Sequence, residues 1–227
     1  MKKIIILVML FLSTIFYGQQ SYNFNYMFIY NEVTNKNKNV LDYIYLVNSL
    51  DNSYNIIARE NENIVNNDEY SLFFIDFNKC TLFSSINRGG FYQAKKITAG
   101  CSQYSKLILS SYENGDNYKY QNFNDTLIND TTYYHYALKS TRAEKYIKNH
   151  KLTTTHYIVY KKTDQFLPFT NVCFPYYFIW KKKKNIPNGY VKLRYVINSK
   201  KEQISKIELR KVIKIDKTFE FPKDCDY

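Results

Sequence analysis

The chain has 227 residues, a formal net charge of +12 and an aromatic content of 18%. Residues 19–227 are enough for one β-rich domain, which would bury about 70% of the surface that its unfolded chain exposes. No Ser/Gly/Pro-rich linker or internal repeat divides these residues. No stretch after the N-terminal segment is apolar over a membrane-spanning length. The composition therefore favours a single domain and excludes a later transmembrane segment.

The N-terminal segment has the parts of a secretory signal peptide. A basic start at residues 1–3 is followed by an apolar run at residues 4–16 and a short exit region. We expect cleavage after Gly18, which would remove residues 1–18. No cysteine follows the apolar run, so the residue needed for a bacterial lipoprotein anchor is missing. The sequence predicts export through the secretory route to the periplasm or the extracellular space.

Most predicted elements after this segment are strands, because apolar and polar residues alternate between Asn- or Gly-containing turns. The first, at residues 21–30, has an aromatic face. Further strands are predicted at residues 40–48, 54–59, 70–77, 80–86, 91–98, 104–112, 132–139, 152–161, 190–197 and 204–215. Residues 122–132 are interpreted as a loop. This pattern is typical of a mainly β fold, either a single antiparallel curved sheet or a flattened open barrel.

One short helix is predicted between the strands. Thr141 and Glu144 have the spacing of a capping box, in which each side chain hydrogen-bonds the other residue's backbone N–H. The helix would extend to about Asn149. The same residues could instead continue as a strand into residues 152–161, where alternation is strong.

Four cysteines remain after the signal peptide, at Cys80, Cys101, Cys173 and Cys225. An even number in an exported protein indicates two disulfides, for which three pairings are possible. Cys80 and Cys101 flank an expected hairpin at residues 87–90, which favours pairing them. Cys173 would then pair with Cys225. The spacing is too wide for a cysteine zinc site, and we expect neither a metal nor a cofactor.

Positive charge is concentrated in the second half of the chain. Residues 19–138 contain 9 basic and 12 acidic residues, whereas residues 139–217 contain 20 basic and 5 acidic residues. Such asymmetry indicates an anionic partner. An AT-rich genome would also enrich lysine, although it does not explain why the excess is confined to one half.

The predicted strands at residues 190–197 and 204–215 would form an antiparallel ribbon with one apolar and one basic face. The turn before the ribbon contains Gly189, which can adopt a positive φ. The apolar face of the first strand consists of Val191, Leu193, Tyr195 and Ile197. The basic face of the ribbon consists of Lys192, Arg194, Lys206, Arg210 and Lys214.

An aromatic run before the ribbon ends at Trp180 and continues directly into Lys181, Lys182, Lys183 and Lys184. Aromatic rings beside clustered ammonium groups suit anionic lipid surfaces. They also suit single-stranded nucleic acid, through stacking and backbone charge. The alternative is a core strand that ends at Trp180, followed by a solvated lysine turn.

Two histidines on predicted neighbouring strands, His135 and His156, could meet and act as a metal-binding or acid/base pair. No third partner is evident, and a histidine among tyrosines is more often packed than catalytic. The standard hydrolase, metalloprotease and nucleotide-binding motifs are absent.

Two hypotheses about function follow. The first is a non-enzymatic binding protein for an anionic lipid surface or acidic glycan, with nucleic acid disfavoured. Its binding residues would be Trp180, Lys181, Lys182, Lys183, Lys184, Lys192, Arg194, Lys206, Arg210 and Lys214. The second is a hydrolase of unfamiliar type with a cleft around His135 and His156, which requires both side chains to lie in a concave pocket.

Overall fold

The computed structural model describes residues 19–34, 41–60, 68–100, 104–106, 117–168 and 174–222. The strands are β1 (Gln19–Thr34), β2 (Leu41–Asn48), β3 (Asp51–Glu60), β4 (Glu69–Asp76), β5 (Cys80–Asn87), β6 (Lys96–Thr98), β7 (Tyr104–Lys106), β8 (Tyr118–Asn122), β9 (Thr126–Ile128), β10 (Thr131–Ser140), β11 (Thr154–Tyr160), β12 (Val191–Ile197) and β13 (Gln203–Pro222). The helices are α1 (Arg88–Gln93), α2 (Glu144–Asn149) and α3 (Phe174–Lys183), with a 3₁₀ turn at Lys161–Thr163.

The described strands form one mainly antiparallel sheet, which confirms the predicted fold class. Its order is β7-β5-β4-β3-β2-β1-β13-β12-β11-β10-β8. β9 pairs with β10, and β6 adds a short parallel pairing to β13. β12 and β13 form the antiparallel ribbon expected from the sequence.

The sheet is strongly curved, as shown by the contacts that α3 makes with two distant parts of the sheet. Tyr177 of α3 stacks on Phe77, which follows β4, with ring centroids 4.7 Å apart. The neighbouring Tyr176 accepts a hydrogen bond at its carbonyl oxygen from the hydroxyl of Tyr120 on β8. β4 and β8 are far apart in the sheet order, so one helix can reach both only if the sheet bends around it. The sheet nevertheless stays open.

Each face of the sheet has its own core. The inner face, defined here as the face that packs on α3, is rich in buried tyrosines and includes Trp180 of the helix. The outer face carries a second cluster around β1 to β4, covered by Phe91 of α1 and Ile97 of β6. Aromatic side chains on both faces of a curved sheet supply the buried area that this fold requires.

The aromatic run before the lysines is a helix, so the interpretation of a core strand ending at Trp180 is wrong. α3 continues through the run into the first three lysines of the cluster. Its buried residues include Tyr177, Ile179 and Trp180. A helix enclosed by a curved sheet can be apolar on most of its circumference, which removes the one-sided pattern that predicts helices.

The hairpin expected at residues 87–90 is also wrong. The Asn87 side chain accepts a hydrogen bond from the backbone N–H of Gly90 and caps α1. Of the strand predicted at residues 91–98, only Lys96–Thr98 forms a strand, which is β6. The hairpin was the reason for pairing Cys80 with Cys101, and that reason no longer holds. The pairing itself stays a prediction. Cys101, Cys173, Cys225 and residues 1–18 lie outside the described residues.

Two further elements differ from expectation. The loop predicted at residues 122–132 contains β9, which turns into β10 through Asn129 and Asp130, both with positive φ. Such a two-residue turn matches the twist of a hairpin. The predicted helix exists as α2, but its N-cap is Ala143, which makes no side-chain cap bond. Thr141 is therefore not the N-cap residue that the capping box requires, and the helix begins at Glu144.

Candidate binding site

The lysine cluster, Lys181–Lys184, is exposed at the C-terminal end of α3. Lys184 ends the helix with a φ of 49°, and its backbone N–H donates to the carbonyl oxygen of Trp180 at 2.7 Å. Cationic side chains are favourable here because the carbonyl end of a helix carries partial negative charge. This local effect explains why lysines are tolerated in the last turn.

Trp180 itself is not a surface residue. Its side chain is 4% exposed and belongs to the inner core. The ammonium of Lys184 lies 3.6 Å from the centroid of its ring, a cation–π contact at the boundary of the core. The predicted aromatic–lysine junction is therefore divided: the indole holds the helix in the core, while the lysines face solvent.

None of these four lysines forms an ion pair within the part of the chain that the structure describes. Lys181 donates to the side-chain oxygen of Asn78 at 3.2 Å and lies 5.5 Å from the ring centroid of Tyr177. These are contacts with neutral groups, so they leave the positive charge uncompensated. Among the described residues, the cluster therefore presents four charges that no carboxylate neutralises.

The ribbon is different, because three of its basic residues are paired with carboxylates. Lys192 and Lys206 both contact Glu208, at 3.2 and 3.0 Å. Arg210 lies 3.4 Å from Asp42. The hydrogen bond from Lys206 holds the pKa of the Glu208 carboxyl below its usual range. A groove of about 260 Å³ beside these residues thus has mixed charge.

Arg194 is buried, contrary to its predicted place on a basic surface. A register shift between β11 and β12 lets Ile158 pair with Leu193 and Val159 pair with Val191, so Lys192 is an extra residue. This bulge places Val191 and Arg194 on the same face. Arg194 is 7% exposed, with its charge close to Tyr45, Tyr157, Tyr43 and Glu32. Of the five residues predicted for the basic face, Lys214 alone is both exposed and free of an ion pair with any residue that the structure describes.

A large apolar side chain is exposed in the turn between β2 and β3. Leu50, in that turn, is 78% exposed. The strand β3 that follows this turn is linked to α3 through Phe77: the carbonyl oxygen of Ser53 accepts from the backbone N–H of Phe77 at 2.9 Å, and Phe77 stacks on Tyr177 of α3. Sequence reasoning missed Leu50 because an isolated leucine in a polar turn carries no periodic signal.

The opposite end of the strands is also basic, but its charges are partly compensated. It contains α2 and the turn between β12 and β13, as the strand registers require. Lys148 pairs with Glu144 at 3.0 Å, and the hydrogen bond from Lys148 lowers the pKa of the Glu144 carboxyl. Other cations at this end, namely Arg142, Lys145, Lys151, Lys200 and Lys201, are exposed and form no ion pair among the described residues, so positive charge alone does not distinguish the two ends.

His135 and His156 do meet, as the sequence suggested. His135 Nε2 and His156 Nδ1 are 3.0 Å apart on the outer face of the sheet. Phe123 stacks on both rings, and Tyr195 stacks on His156 with centroids 4.7 Å apart. Burial lowers the pKa of both groups, and burial together with the charge of His135 lowers that of His156 to about 4.

This pair lacks the partners of a catalytic site among the described residues. The structure shows no hydroxyl, thiol or carboxylate hydrogen-bonded to either ring there. Nor does any described group of three or more His, Cys, Asp or Glu side chains lie together as a metal cluster would. The geometry provides two neutral imidazoles in contact, without a nucleophile or an orienting carboxylate.

Helices in the described segments are all too short or too polar to cross a membrane. No protein-family model matches the chain, and no curated protein sequence matches it significantly.

Several solved structures are similar to parts of this chain. An uncharacterized conserved protein from Thermus thermophilus has 4% identity and a TM-score of 0.44, over 84% of this chain and 78% of that one. The Pseudomonas aeruginosa MucA/MucB complex matches with 8% identity and a TM-score of 0.40, over 86% of this chain and 52% of that one. A LolA superfamily protein from Nitrosomonas europaea matches with 12% identity and a TM-score of 0.32, over 85% and 86%.

The chain spans about half the length of the matching chain in the MucA/MucB complex. All three TM-scores are below 0.5 and all identities are at most 12%. Similarity at this level assigns neither a family nor a ligand to the chain.

Proposed function

We propose that the protein is an exported, non-enzymatic binding domain that attaches to anionic lipid surfaces through the lysine cluster and Leu50. The observation that carries the proposal is the set of four exposed lysines at the C-terminal end of α3, none of which forms an ion pair with a described residue. Export is supported by the signal-peptide pattern of residues 1–18.

The expected energy of this contact is sufficient for peripheral binding. Each lysine near an anionic membrane contributes about 1 kcal/mol, so the cluster would contribute about 4 kcal/mol, or roughly 10³-fold in affinity. Removing an exposed leucine side chain such as Leu50 from water contributes about 2 kcal/mol more. The lysine contribution is screened by salt, whereas the leucine contribution is not.

A lipid surface fits these residues better than the other anionic partners. Leu50 gives the site an apolar point that an acidic glycan would not use. Single-stranded nucleic acid binds by stacking bases on accessible aromatic rings, but Trp180, beside the cluster, is buried. The site therefore favours a partner with both negative charge and an apolar interior.

The test is binding of the mature protein to vesicles of phosphatidylcholine alone or mixed with phosphatidylglycerol, at low and physiological salt. One variant changes Lys181, Lys182, Lys183 and Lys184 to Gln. The matched control changes Lys145, Lys200, Lys201 and Lys211 to Gln. The control removes the same number of charges, because those four lysines are also exposed. It also includes one residue with a positive φ, Lys201, as the cluster includes Lys184.

We expect salt-sensitive binding to the anionic vesicles only. The cluster variant should lose most of the roughly 10³-fold expected from four lysines, while the control keeps near-normal affinity. Equal loss in both variants would show that net charge, and not this site, controls binding. Binding to an acidic polysaccharide without binding to vesicles would favour the glycan alternative and contradict the proposal.

A further inference from the structure

The outer face of the sheet offers two histidine nitrogens at a spacing typical of metal ligands. His135 Nε2 and His156 Nδ1 are 3.0 Å apart. Metal–imidazole bonds are about 2.0–2.1 Å long, and two such ligands at right angles have nitrogens about 3.0 Å apart. An ion bound to both nitrogens would lie beside the line that joins them, so the two nitrogens could ligate one ion without moving apart.

The rings are held in place by their neighbours. His135 and His156 lie on the adjacent antiparallel strands β10 and β11. Phe123 stacks on His135 with centroids 4.6 Å apart, and Tyr195 stacks almost parallel to His156, at 3°. Stacking of Phe123 on both rings, and of Tyr195 on His156, limits rotation of the rings, so little side-chain entropy would be lost when both nitrogens bind one ion.

We infer that His135 and His156 form a surface site for a divalent transition-metal ion. Binding breaks the hydrogen bond between the rings, and the ring that donates it carries its proton on its other nitrogen instead, which leaves both facing nitrogens free as ligands. His135 Nε2 and His156 Nδ1 would be the two protein ligands, and water would complete the coordination. This inference is independent of the proposed lipid binding, because it concerns a different face and different residues.

The ligand type also indicates which ion should bind most tightly, because imidazole nitrogen is a ligand that suits Cu²⁺, Ni²⁺ and Zn²⁺. Since affinity for nitrogen ligands rises from Ni²⁺ to Cu²⁺, the site should bind Cu²⁺ most tightly.

The test uses tag-free mature protein and Cu²⁺ or Ni²⁺ alone, followed by calorimetry. His135→Gln and His156→Gln each remove one ligand, and His150→Gln is the matched control. His150 is exposed, stacks on Tyr146 and uses its Nδ1 with the carbonyl oxygen of Tyr146. Each pair variant should bind at least ten-fold more weakly, while the control should bind as the unchanged protein does.

A second measurement needs no variant and so does not depend on whether the variants fold. Substoichiometric Cu²⁺ should broaden the imidazole NMR signals of His135 and His156 before those of His150. Broadening that begins at His150 or at the N-terminal amine would overturn the inference. Affinity that is unchanged in His135→Gln and His156→Gln would overturn it as well.

Discussion

At the scale of single residues, a charged side chain in this chain does not mark the surface. Lys217 is 5% exposed, and its ammonium donates to the carbonyl oxygens of Phe91 at 2.8 Å, Tyr92 at 3.1 Å and Ala94. These carbonyls lie at the C-terminal end of α1, where helices leave acceptors unpaired. Lys217 thus fastens α1 to the outer face of β13.

Changing Lys217 to Met should destabilise the fold by about 3 kcal/mol, because it leaves buried carbonyl oxygens without a donor. The control variant is Lys211→Met, at an exposed position on the same strand. Urea denaturation of the two variants would compare their losses in the free energy of unfolding. The control should change stability by no more than about 0.5 kcal/mol. Equal stability of the two variants would show that the three hydrogen bonds contribute nothing.

At the scale of elements, the turn between α3 and β12 depends on Gly189. Its φ of +126° is rarely adopted by residues with a side chain, and an added Cβ would lie 2.7 Å from the carbonyl oxygen of Tyr160 and from Val159. Because the backbone oxygen cannot move aside as a flexible side chain could, both strain and overlap oppose any substitution. This turn directs the chain from the lysine cluster back into the sheet.

Gly189→Ala should therefore cost about 3 kcal/mol in the free energy of unfolding. Gly90→Ala is the matched control, since its added Cβ would meet nothing closer than 3.9 Å, at Ile86 in ordinary contact. That change lies within α1 and should be neutral or slightly stabilising. Thermal denaturation of both variants compares them directly, and a Gly189→Ala protein as stable as the control would contradict this role.

Much of the sheet was predictable because strand alternation survives wherever one face is buried and the other is polar or differently packed. The helix α3 was not predictable, because aromatic residues favour strands and a helix enclosed by the sheet shows no one-sided apolar pattern. The bulge at Lys192 was equally hidden, so alternation placed Arg194 on the wrong face. The meeting of His135 and His156 was predictable, because both lay on strands expected to be neighbours.

The lysines of the cluster could be identified from the sequence, but their environment could not. Only the structure shows that Trp180 is buried, that Glu208 and Asp42 compensate cations of the ribbon, and that Leu50 is exposed. These are long-range contacts, which composition and periodicity do not encode.

At the scale of the whole molecule, the proposed lipid-binding site gives the protein an orientation at a membrane. The end with the lysine cluster and Leu50 should face the lipid, and the end with α2 should face away. Tyr146 of α2 is 43% exposed and lies at that opposite end, which makes it a matched position for a probe. The native Trp180 is buried and should report no change in polarity.

The most direct test is the fluorescence of Leu50→Trp and Tyr146→Trp proteins on addition of phosphatidylglycerol-containing vesicles. The indole introduced at position 50 should shift its emission to shorter wavelength as it leaves water, and the one at position 146 should not shift. A shift at position 146 with none at position 50 would contradict the orientation. No shift at either position, with the protein bound, would contradict insertion of the turn next to the lysine cluster.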